Sequence, residues 1–410
     1  FAANFTGAMW ASPVYISNGP GGKGAFFAVT TGNDVIPLDE TTGQQLASPT
    51  GAWKKNFNIG ASPQNTGVPC GQIHPLGILS TPVIDPVART IYVAGAVGTD
   101  AIAKHEVHAI NIDDGTERPG WPVDVTGMKS GNTTFAPPAQ NQRSALSLVG
   151  GKVYVAYGGH AGDCGNYHGW VIGIDTTDPT KRGAWATLGQ GEAIWAAGGM
   201  ASDGTSIFAV TGNSTVGAAD RATSDSEQMV RITGLGAFTR SDQNLYFPTT
   251  WKDMDSKDAD FGASNPVYFS IPGSTPATYV GAVAKDGHFY LLNASNLGGM
   301  GGHVLTLVVA TGAMSVKTAP TTYATAKGVH FVLGIDANAA CPDGVVAGRS
   351  MISVLLTPGS PPKAKVEWCS PMQGEAGPIS TTTDGANNAL VWYVKNDKLM
   401  AVDGDTGQTL

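Results

Sequence analysis

A strand pattern that recurs seven times constrains the fold of this chain more than any other feature of its sequence. In each repeat, a short segment rich in small residues, Ser, Thr or Pro is followed closely by a more apolar segment with the alternation of a β-strand. The small-residue segments are ASPVYIS (11–17), LSTPVID (79–85), QRSALSLV (142–149), WAAGGMAS (195–202), GASNPVYF (262–269), ATAKGVHF (324–331) and GPISTTTD (377–384). Short strands at regular spacing, with no long segment of helical periodicity, predict an all-β protein.

The third repeat is the clearest. The segments KVYVAY (152–157) and WVIGID (170–175) both alternate apolar side chains, and GGHAGDCGNYHG (158–169) joins them. The glycines of the joining segment allow tight turns and positive φ angles, so the whole predicts a β-hairpin. In the sixth repeat, the predicted second strand, VVAGRSMIS (345–353), comes unusually late.

A third strand ends in an acidic turn in several repeats. The segments 35–46 and 399–410 contain D-E-T-T-G and D-G-D-T-G, in which an Asp side chain and a glycine can close a hairpin. Seven units of small antiparallel sheets predict a seven-bladed β-propeller of four-stranded blades, formed by residues 1–410 as a single domain. We expect Phe1–Gly7 to supply the outer strand of the last blade and so close the ring.

Composition excludes some partners and indicates a compartment. The net charge of −8 provides no basic face for nucleic acid, and no run of 18 apolar residues predicts a membrane span. The first residues do not read as a signal peptide, so we expect that any such peptide has been removed or is not included in this sequence. Four cysteines without a C-x-x-C pair fit two disulfides and a secreted or periplasmic protein, although four buried free thiols remain an alternative.

Several motifs carry a resemblance to known proteins. The turns D-E-T-T-G-Q-Q-L and D-G-D-T-G-Q-T-L resemble the blade motif of quinoprotein alcohol dehydrogenases without its terminal Trp. The segments near 77–85, 141–146, 167–171, 194–199, 284–292 and 403–407 are similar to bacterial PQQ-binding-like β-propeller repeat proteins, an uncharacterised branch of that superfamily. This resemblance covers essentially the whole chain and implies the propeller fold.

The resemblance also implies a cofactor, pyrroloquinoline quinone (PQQ) with calcium. Two departures from the enzymes bear on it: the adjacent Cys-Cys pair that they place beside the quinone is absent, and so is a C-x-x-C-H haem site. The calcium ligands and the catalytic base of those enzymes have no residue-by-residue match here. The motifs therefore indicate the fold more specifically than the activity.

Propeller ligands usually bind at the axis, where loops enter the inner strands and hairpins leave them. Side chains placed there by the predicted blades are His74, Arg143, Trp195, Asp260, Lys285, Asp286 and Glu375. Such a group would suit a polar or anionic small molecule, or a sugar stacked on an indole ring. Each also has a purely structural interpretation: Trp195 could pack between blades, Arg143 could pair with Asp260 or Glu375, and Lys285-Asp286-Gly287 could be only a turn.

The joining segment of the third repeat suggests two further roles. His160, Asp163 and His168 are candidate ligands of a divalent metal ion, since imidazole and carboxylate suit zinc, copper or iron. The alternative is that these side chains only hydrogen-bond the neighbouring backbone. On the predicted propeller all four cysteines fall on one face, and we predict the disulfides Cys341–Cys369 and Cys70–Cys164.

Three functional hypotheses follow from this sequence. The first is an extracytoplasmic binding module for a small molecule, glycan or protein, which acts through the axial face. The second is a quinone-dependent oxidoreductase of alcohols or sugars, and the third is a lyase or hydrolase with acid and base residues in the axial pocket. Weak catalytic motifs favour the binding module.

Overall fold

The fold consists of short β-strands connected by turns. The computed structural model describes residues 6–48, 51–52, 59–217, 220–312, 316–342, 348–371 and 377–410. The chain divides into two compact units, Phe1–Trp195 with Thr233–Ala237, and Ala196–Ile232 with Phe238–Leu410. A single domain over residues 1–410 therefore stays a prediction. No helix in these described ranges is long and apolar enough to cross a membrane.

The first unit contains three antiparallel sheets that follow one another along the chain. Their strands are Val14–Ile16, Ala25–Val29 and Val35–Asp39; then Val83–Asp85, Thr90–Val97, Lys104–Asn111 and Val123–Asp124; then Ser147–Val149, Lys152–Tyr157, Trp170–Asp175 and Arg182–Ala186. Two small hairpins, Ala47–Ser48 with Gly51–Ala52 and Lys129–Ser130 with Thr133–Thr134, lie between them. The predicted hairpin of the third repeat is present, with Val153 opposite Ile174 and Tyr157 opposite Trp170.

The second unit contains the other four sheets. Their strands are Ala201–Ser202, Ile207–Val210, Met229–Ile232, Leu245–Phe247 and Gly299–Met300; then Val267–Ser270, Thr278–Val283, His288–Asn293 and Leu305–Val308; then Thr321–Thr325, Gly328–Ile335, Ser350–Thr357 and Lys363–Pro371; then Ile379–Thr381, Leu390–Lys395 and Lys398–Asp403. The helical elements of the described chain are one α-helix, Trp251–Ser256, and the 3₁₀ turns Pro20–Gly22, Pro137–Ala139 and Phe261–Ala263.

These seven sheets confirm the predicted fold class, an all-β seven-bladed propeller. The second, third, fifth and sixth blades have four strands each. The fourth blade has a fifth short strand, which pairs in parallel through Gly299 with Tyr246. The first and last blades have three strands each among the described residues. The expected outer strand of the last blade, Phe1–Gly7, falls mainly on residues 1–5, which lie outside the described ranges.

The sixth blade corrects one strand assignment. The segment 324–331 spans the turn between Thr321–Thr325 and Gly328–Ile335 instead of forming one strand. Segment 345–353 overlaps the third strand, Ser350–Thr357, instead of the second. The reason is that the small-residue segment 324–331 ends with the first residues of Gly328–Ile335, which is an apolar strand of its own.

The acidic turns form as their sequence predicts. The Asp39 carboxylate accepts hydrogen bonds from the backbone N–H of Thr41 and Thr42 and from the Thr42 hydroxyl, at 2.8–3.1 Å. Gly43 follows with φ of 65° and donates its N–H to the Asp39 carbonyl. These hydrogen bonds, chiefly those from Thr42, lower the pKa of Asp39. Asp403 and Gly407 repeat the arrangement in the last blade.

The apolar core lies between successive sheets within each unit. In the first unit, one cluster around Phe27, Ile78 and Val93 joins the first two blades, and another around Phe135 and Trp170 joins the next two. Corresponding clusters in the second unit join the fourth to the fifth, the fifth to the sixth and the sixth to the seventh blade. Because both faces of these strands are buried, the polar side chains that a ligand could reach lie mainly in the segments between strands.

Candidate ligand-binding site

Arg143 lies in the first unit, between the 3₁₀ turn Pro137–Ala139 and the strand Ser147–Val149. Its side chain is exposed, and no described residue of this unit forms a hydrogen bond or ion pair with its guanidinium. The surrounding protein nevertheless desolvates the group, and this lowers the pKa of Arg143. A cation that is partly desolvated and without a counterion would be stabilised by an anionic ligand.

Trp195 lies beside the same stretch of backbone as Arg143. Gly158 exchanges two backbone hydrogen bonds with Asn141, at 2.7 and 3.0 Å, only two residues before Arg143. A Cβ atom on Gly158 would lie 2.7 Å from the Cβ of Ala193 and 3.2 Å from Trp195 Nε1. Glycine at position 158 therefore lets the indole ring approach the backbone that carries Arg143.

The His74 side chain is exposed and has a backbone partner. Its Nδ1 lies 2.7 Å from the carbonyl oxygen of Gln64. No described contact joins it to Arg143 or Trp195, so its assignment to a ligand site stays a prediction.

The three proposed metal ligands each have a partner of their own. His160 Nε2 lies 3.2 Å from the Pro138 carbonyl, and His168 Nδ1 lies 3.1 Å from the Thr187 carbonyl. Asp163 accepts a hydrogen bond of 2.7 Å from the Tyr167 hydroxyl. Burial lowers the pKa of both imidazoles, which keeps them neutral.

These contacts agree with the alternative interpretation of this segment, in which the three side chains only form hydrogen bonds with their neighbours. In the described part of the chain, no three His, Cys, Asp or Glu side chains are grouped so as to hold a metal ion. The metal site remains a prediction. His168 also lines a cavity of about 620 Å³.

A buried ion-pair cluster in the second unit contains two of the predicted ligand residues, Lys285 and Asp260. The Lys285 ammonium contacts the Asp260 carboxylate and lies 2.9 Å from Asp258. Asp260 is fully buried and accepts a 2.7 Å hydrogen bond from the backbone N–H of Asn213. Burial alone would lower the pKa of Lys285, but the two carboxylates outweigh it and raise that pKa.

Glu227 adds a third carboxyl group to this cluster. It is completely buried, with one oxygen accepting a hydrogen bond of 2.5 Å from the Phe261 N–H and the other without a hydrogen-bond partner among the described residues. Burial, and next the charge of Asp260, raise the pKa of Glu227 well above its usual range. Burial also raises the pKa of Asp260, which Lys285 opposes. The raised pKa of Glu227 favours its protonated form beside the Lys285–Asp260 ion pair.

The remaining two predicted residues lie elsewhere. The described contacts of Asp286 are with His288: its carboxylate lies 3.1 Å from His288 Nδ1 and accepts the His288 backbone N–H at 3.0 Å. Glu375 lies outside the described residues.

Sequence reasoning missed Glu227. It lies in the polar segment SDSEQ (224–228), which reads as a solvated loop, yet all five residues are buried. A positive φ of 52° at Glu227 turns its backbone, an unusual conformation for a residue with a long side chain. No signal in the sequence distinguishes this segment from an exposed turn.

Both predicted disulfides are present. Cys70 is bonded to Cys164 with their Cα atoms 5.9 Å apart, and Cys341 is bonded to Cys369 with Cα atoms 6.4 Å apart. None of the four cysteines is free. The first bond ties the loop before the second blade to the hairpin turn of the third, and the second bond lies within the sixth blade.

Comparison with known proteins identifies similar structures but no similar sequences. No protein-family model and no curated protein matches the chain. The quinohemoprotein alcohol dehydrogenase ADHIIG from Pseudomonas putida HK5 has a TM-score of 0.62 at 13% identity, over 99% of this chain and 66% of that one. The enzyme of the same kind from Comamonas testosteroni has a TM-score of 0.56 at 13% identity, over 98% of this chain and 66% of its own.

A third similarity is weaker. BamB from Moraxella catarrhalis has a TM-score of 0.37 at 13% identity, over 80% of this chain and 66% of that one, and we base no argument on it. The chain spans slightly less than two thirds of the length of both dehydrogenases, at 66%. At this identity the similarity concerns the fold alone. The chain therefore has the propeller fold of the quinohemoprotein alcohol dehydrogenases, as its motifs indicated.

Proposed function

We propose that this protein is an extracytoplasmic binding module that holds a small organic anion at Arg143, beside Trp195. The observation that supports this most is the exposed guanidinium of Arg143, which has no partner among the described residues of its own unit. A carboxylate can accept two parallel hydrogen bonds from a guanidinium, and such charge-assisted bonds are the strong ones.

The surroundings of Arg143 favour a planar or partly apolar anion. Trp195 is half-buried and packs close to Gly158, so part of its indole ring is available beside the same backbone. An indole ring contributes a large apolar surface to a ligand site. A carboxylate attached to a ring would use both groups.

The disulfides support a location outside the cytoplasm. The structure contains two disulfides, which persist in oxidising compartments and are rare in the cytosol. Disulfide mapping of protein isolated from its native source tests this location. Reduced cysteines in that material would contradict it.

The proposed site is tested by isothermal titration with benzoate, citrate and PQQ, the last with and without calcium. We expect at least one carboxylate to bind, and Arg143→Ala to weaken that binding about tenfold or more. The matched control is Arg182→Ala, because Arg182 is another exposed arginine of the first unit whose guanidinium contacts a backbone carbonyl, at 3.3 Å. Binding that survives Arg143→Ala, or the absence of binding by every probe, would overturn the proposal.

The second candidate function is a quinone-dependent oxidoreductase, which the similarity of fold favours. The carboxylates of PQQ fit the guanidinium of Arg143, which has no partner among the described residues of its unit. Calcium fits less well: it takes about six to eight oxygen ligands, and no group of three acidic, His or Cys side chains that could hold a metal lies in the described ranges. Binding of PQQ alone, lost in Arg143→Ala, would favour this function over a general carboxylate site.

The acid–base hypothesis has one supporting observation, the raised pKa values of Glu227 and Asp260. Both carboxyl groups are fully buried, however, and Asp260 is already paired with Lys285. A general acid or base must reach its substrate, so the geometry supports a lyase or hydrolase less than a binding site.

A further inference from the structure

A cavity of about 460 Å³ lies in the second unit. Its walls come from the segment 246–259, which includes the helix Trp251–Ser256, from the hairpin 286–290, and from His303 and Thr306. The volume is within the range of about 300–1,000 Å³ that is usual for small-molecule sites. Nothing in the proposed anion site involves these residues.

Four aromatic rings are among the side chains that line this cavity. Tyr290 lies almost parallel to His288, with ring centroids 6.2 Å apart and an angle of 29° between the planes. Tyr246 lies 5.9 Å from Tyr290, and its hydroxyl lies 3.1 Å from Nδ1 of His303. The contact with Tyr246 orients the imidazole ring of His303, which is only half-buried. The other ring nitrogen, Nε2, is therefore placed to meet a ligand.

The charged groups of the cavity are matched in pairs. His288 lies 3.1 Å from the Asp286 carboxylate, which raises the pKa of the imidazole. Lys257 lies 2.8 Å from Asp253, one helical turn away. His303 has no acidic neighbour among its described contacts, and burial lowers the pKa of its ring. Among the described residues that line it, the cavity therefore offers neither an unpaired cation nor an unpaired anion.

The same walls are rich in groups that both donate and accept hydrogen bonds. Besides two tyrosines and two histidines, the lining includes the hydroxyls of Thr249, Thr250 and Thr306. Aromatic faces combined with many neutral donors and acceptors match a ligand that has apolar C–H faces and several hydroxyl groups. An anionic ligand would approach the carboxylates of Asp253 and Asp286 and would find no unpaired cation among the described lining residues. A cationic ligand would find no unpaired carboxylate there.

We infer that this cavity is a second ligand site, specific for a neutral carbohydrate of one or two sugar rings. The sugar lies against the imidazole of His288, which is supported from behind by Tyr290. Its hydroxyls bond to His303, to Thr250 and to the hydroxyl oxygen of Thr306, which acts as an acceptor because its proton is donated to the Phe289 carbonyl, at 3.0 Å. Arg143 belongs to the other compact unit and is not among the described residues that line this cavity.

The test uses the full chain and isothermal titration with lactose, maltose, cellobiose and trehalose. We expect one of these neutral sugars to bind in the millimolar range or tighter, and His288→Ala and His303→Ala each to weaken it about tenfold. His74→Ala is the matched control, because it removes an exposed imidazole from the other unit. Thermal unfolding of every variant shows whether it is folded.

If His288→Ala does not fold, Thr306→Val tests the same wall from an exposed position and should weaken binding several-fold. The charge argument is tested by comparing lactose with lactobionate, its carboxylate analogue. Tighter binding of lactobionate, unchanged binding in the two histidine variants, or no binding of any neutral sugar would overturn the inference.

Discussion

Arg143 and Lys285 are the two basic side chains that the sequence places among the ligand candidates, and they lie in opposite surroundings. Arg143 is exposed and has no counterion among the described residues of its unit. Lys285 is almost fully buried and contacts both Asp260 and Asp258. Arg143 therefore has no described counterion in its unit, whereas Lys285 has two.

This difference separates a binding role from a structural one. A ligand carboxylate that approached Lys285 would have to displace Asp260, which is itself fully buried and would then lose its counterion. At Arg143 no such exchange is needed. We therefore interpret Lys285, Asp260 and Glu227 as a network that holds the segments before and after the helix Trp251–Ser256 in place. Arg143 remains the cation of the proposed ligand site.

The largest effect on stability is expected from Lys285→Ala. Removing one partner of a buried ion pair leaves an uncompensated charge and typically costs about 3–5 kcal/mol. The measurement is chemical denaturation at neutral pH, with Lys257→Ala as control because the Lys257–Asp253 pair is exposed. Equal losses in the two variants would show that Asp260 is not held as described.

Gly158→Ala should have the second largest effect, and it acts on the Arg143 side. The added methyl group would lie 2.7 Å from Ala193, so the backbone or the Trp195 ring must move, at a cost of about 1–3 kcal/mol. Gly204→Ala is a useful control because a methyl group there meets nothing within 4 Å, although its φ of 91° adds backbone strain. A Gly158 variant as stable as the natural protein would contradict the close packing of Trp195.

Glu227→Gln should change the pH dependence of stability. Because the folded state raises the pKa of Glu227, the folded protein binds a proton more tightly than the unfolded chain. This contribution is fully present below the unfolded pKa and is lost as pH rises through the folded pKa.

Glutamine has the shape of the Glu227 side chain but does not ionise. The stability of Glu227→Gln relative to the natural protein should therefore rise as pH increases above the pKa of an ordinary Glu. Denaturant midpoints between acidic and alkaline pH measure it, with Glu40→Gln as an exposed control. Parallel curves for the natural protein and the Glu227 variant would mean that Glu227 is ionised in the folded state.

Arg143→Ala should have the smallest effect on stability. An exposed side chain without partners usually contributes within about 0.5 kcal/mol, and removal of a desolvated charge could even stabilise the fold. Thermal unfolding of the variant checks this. A large loss would indicate a structural role and would remove the contrast between Arg143 and Lys285.

Much of the fold could be predicted because local chemistry specifies it. The Asp39 turn forms from hydrogen bonds within four residues, and the hairpin 152–175 forms from alternation and glycine. The sixth blade was misassigned because two strong apolar strands follow one another there, and alternation alone does not say which pairs with the small-residue strand.

The candidate site was predicted only in part. Arg143, Trp195, Asp260 and Lys285 were identified by their positions next to strands. Their roles were not, because a role depends on the partner that each charge finds. His288 and His303 were overlooked since they lie in different strands and loops and share no motif.

By itself, the sequence determined the repeated strands, the turns that join them and the cysteines available for disulfides, because each of these depends on neighbours a few residues away. Only the tertiary structure decided which charges are neutralised and which are free. Glu227, Asp260 and Lys285 are far apart in the chain, and their burial together raises the pKa of Glu227 and pairs Asp260 with Lys285. Electrostatic energies depend on distance and desolvation, and both are properties of the folded chain.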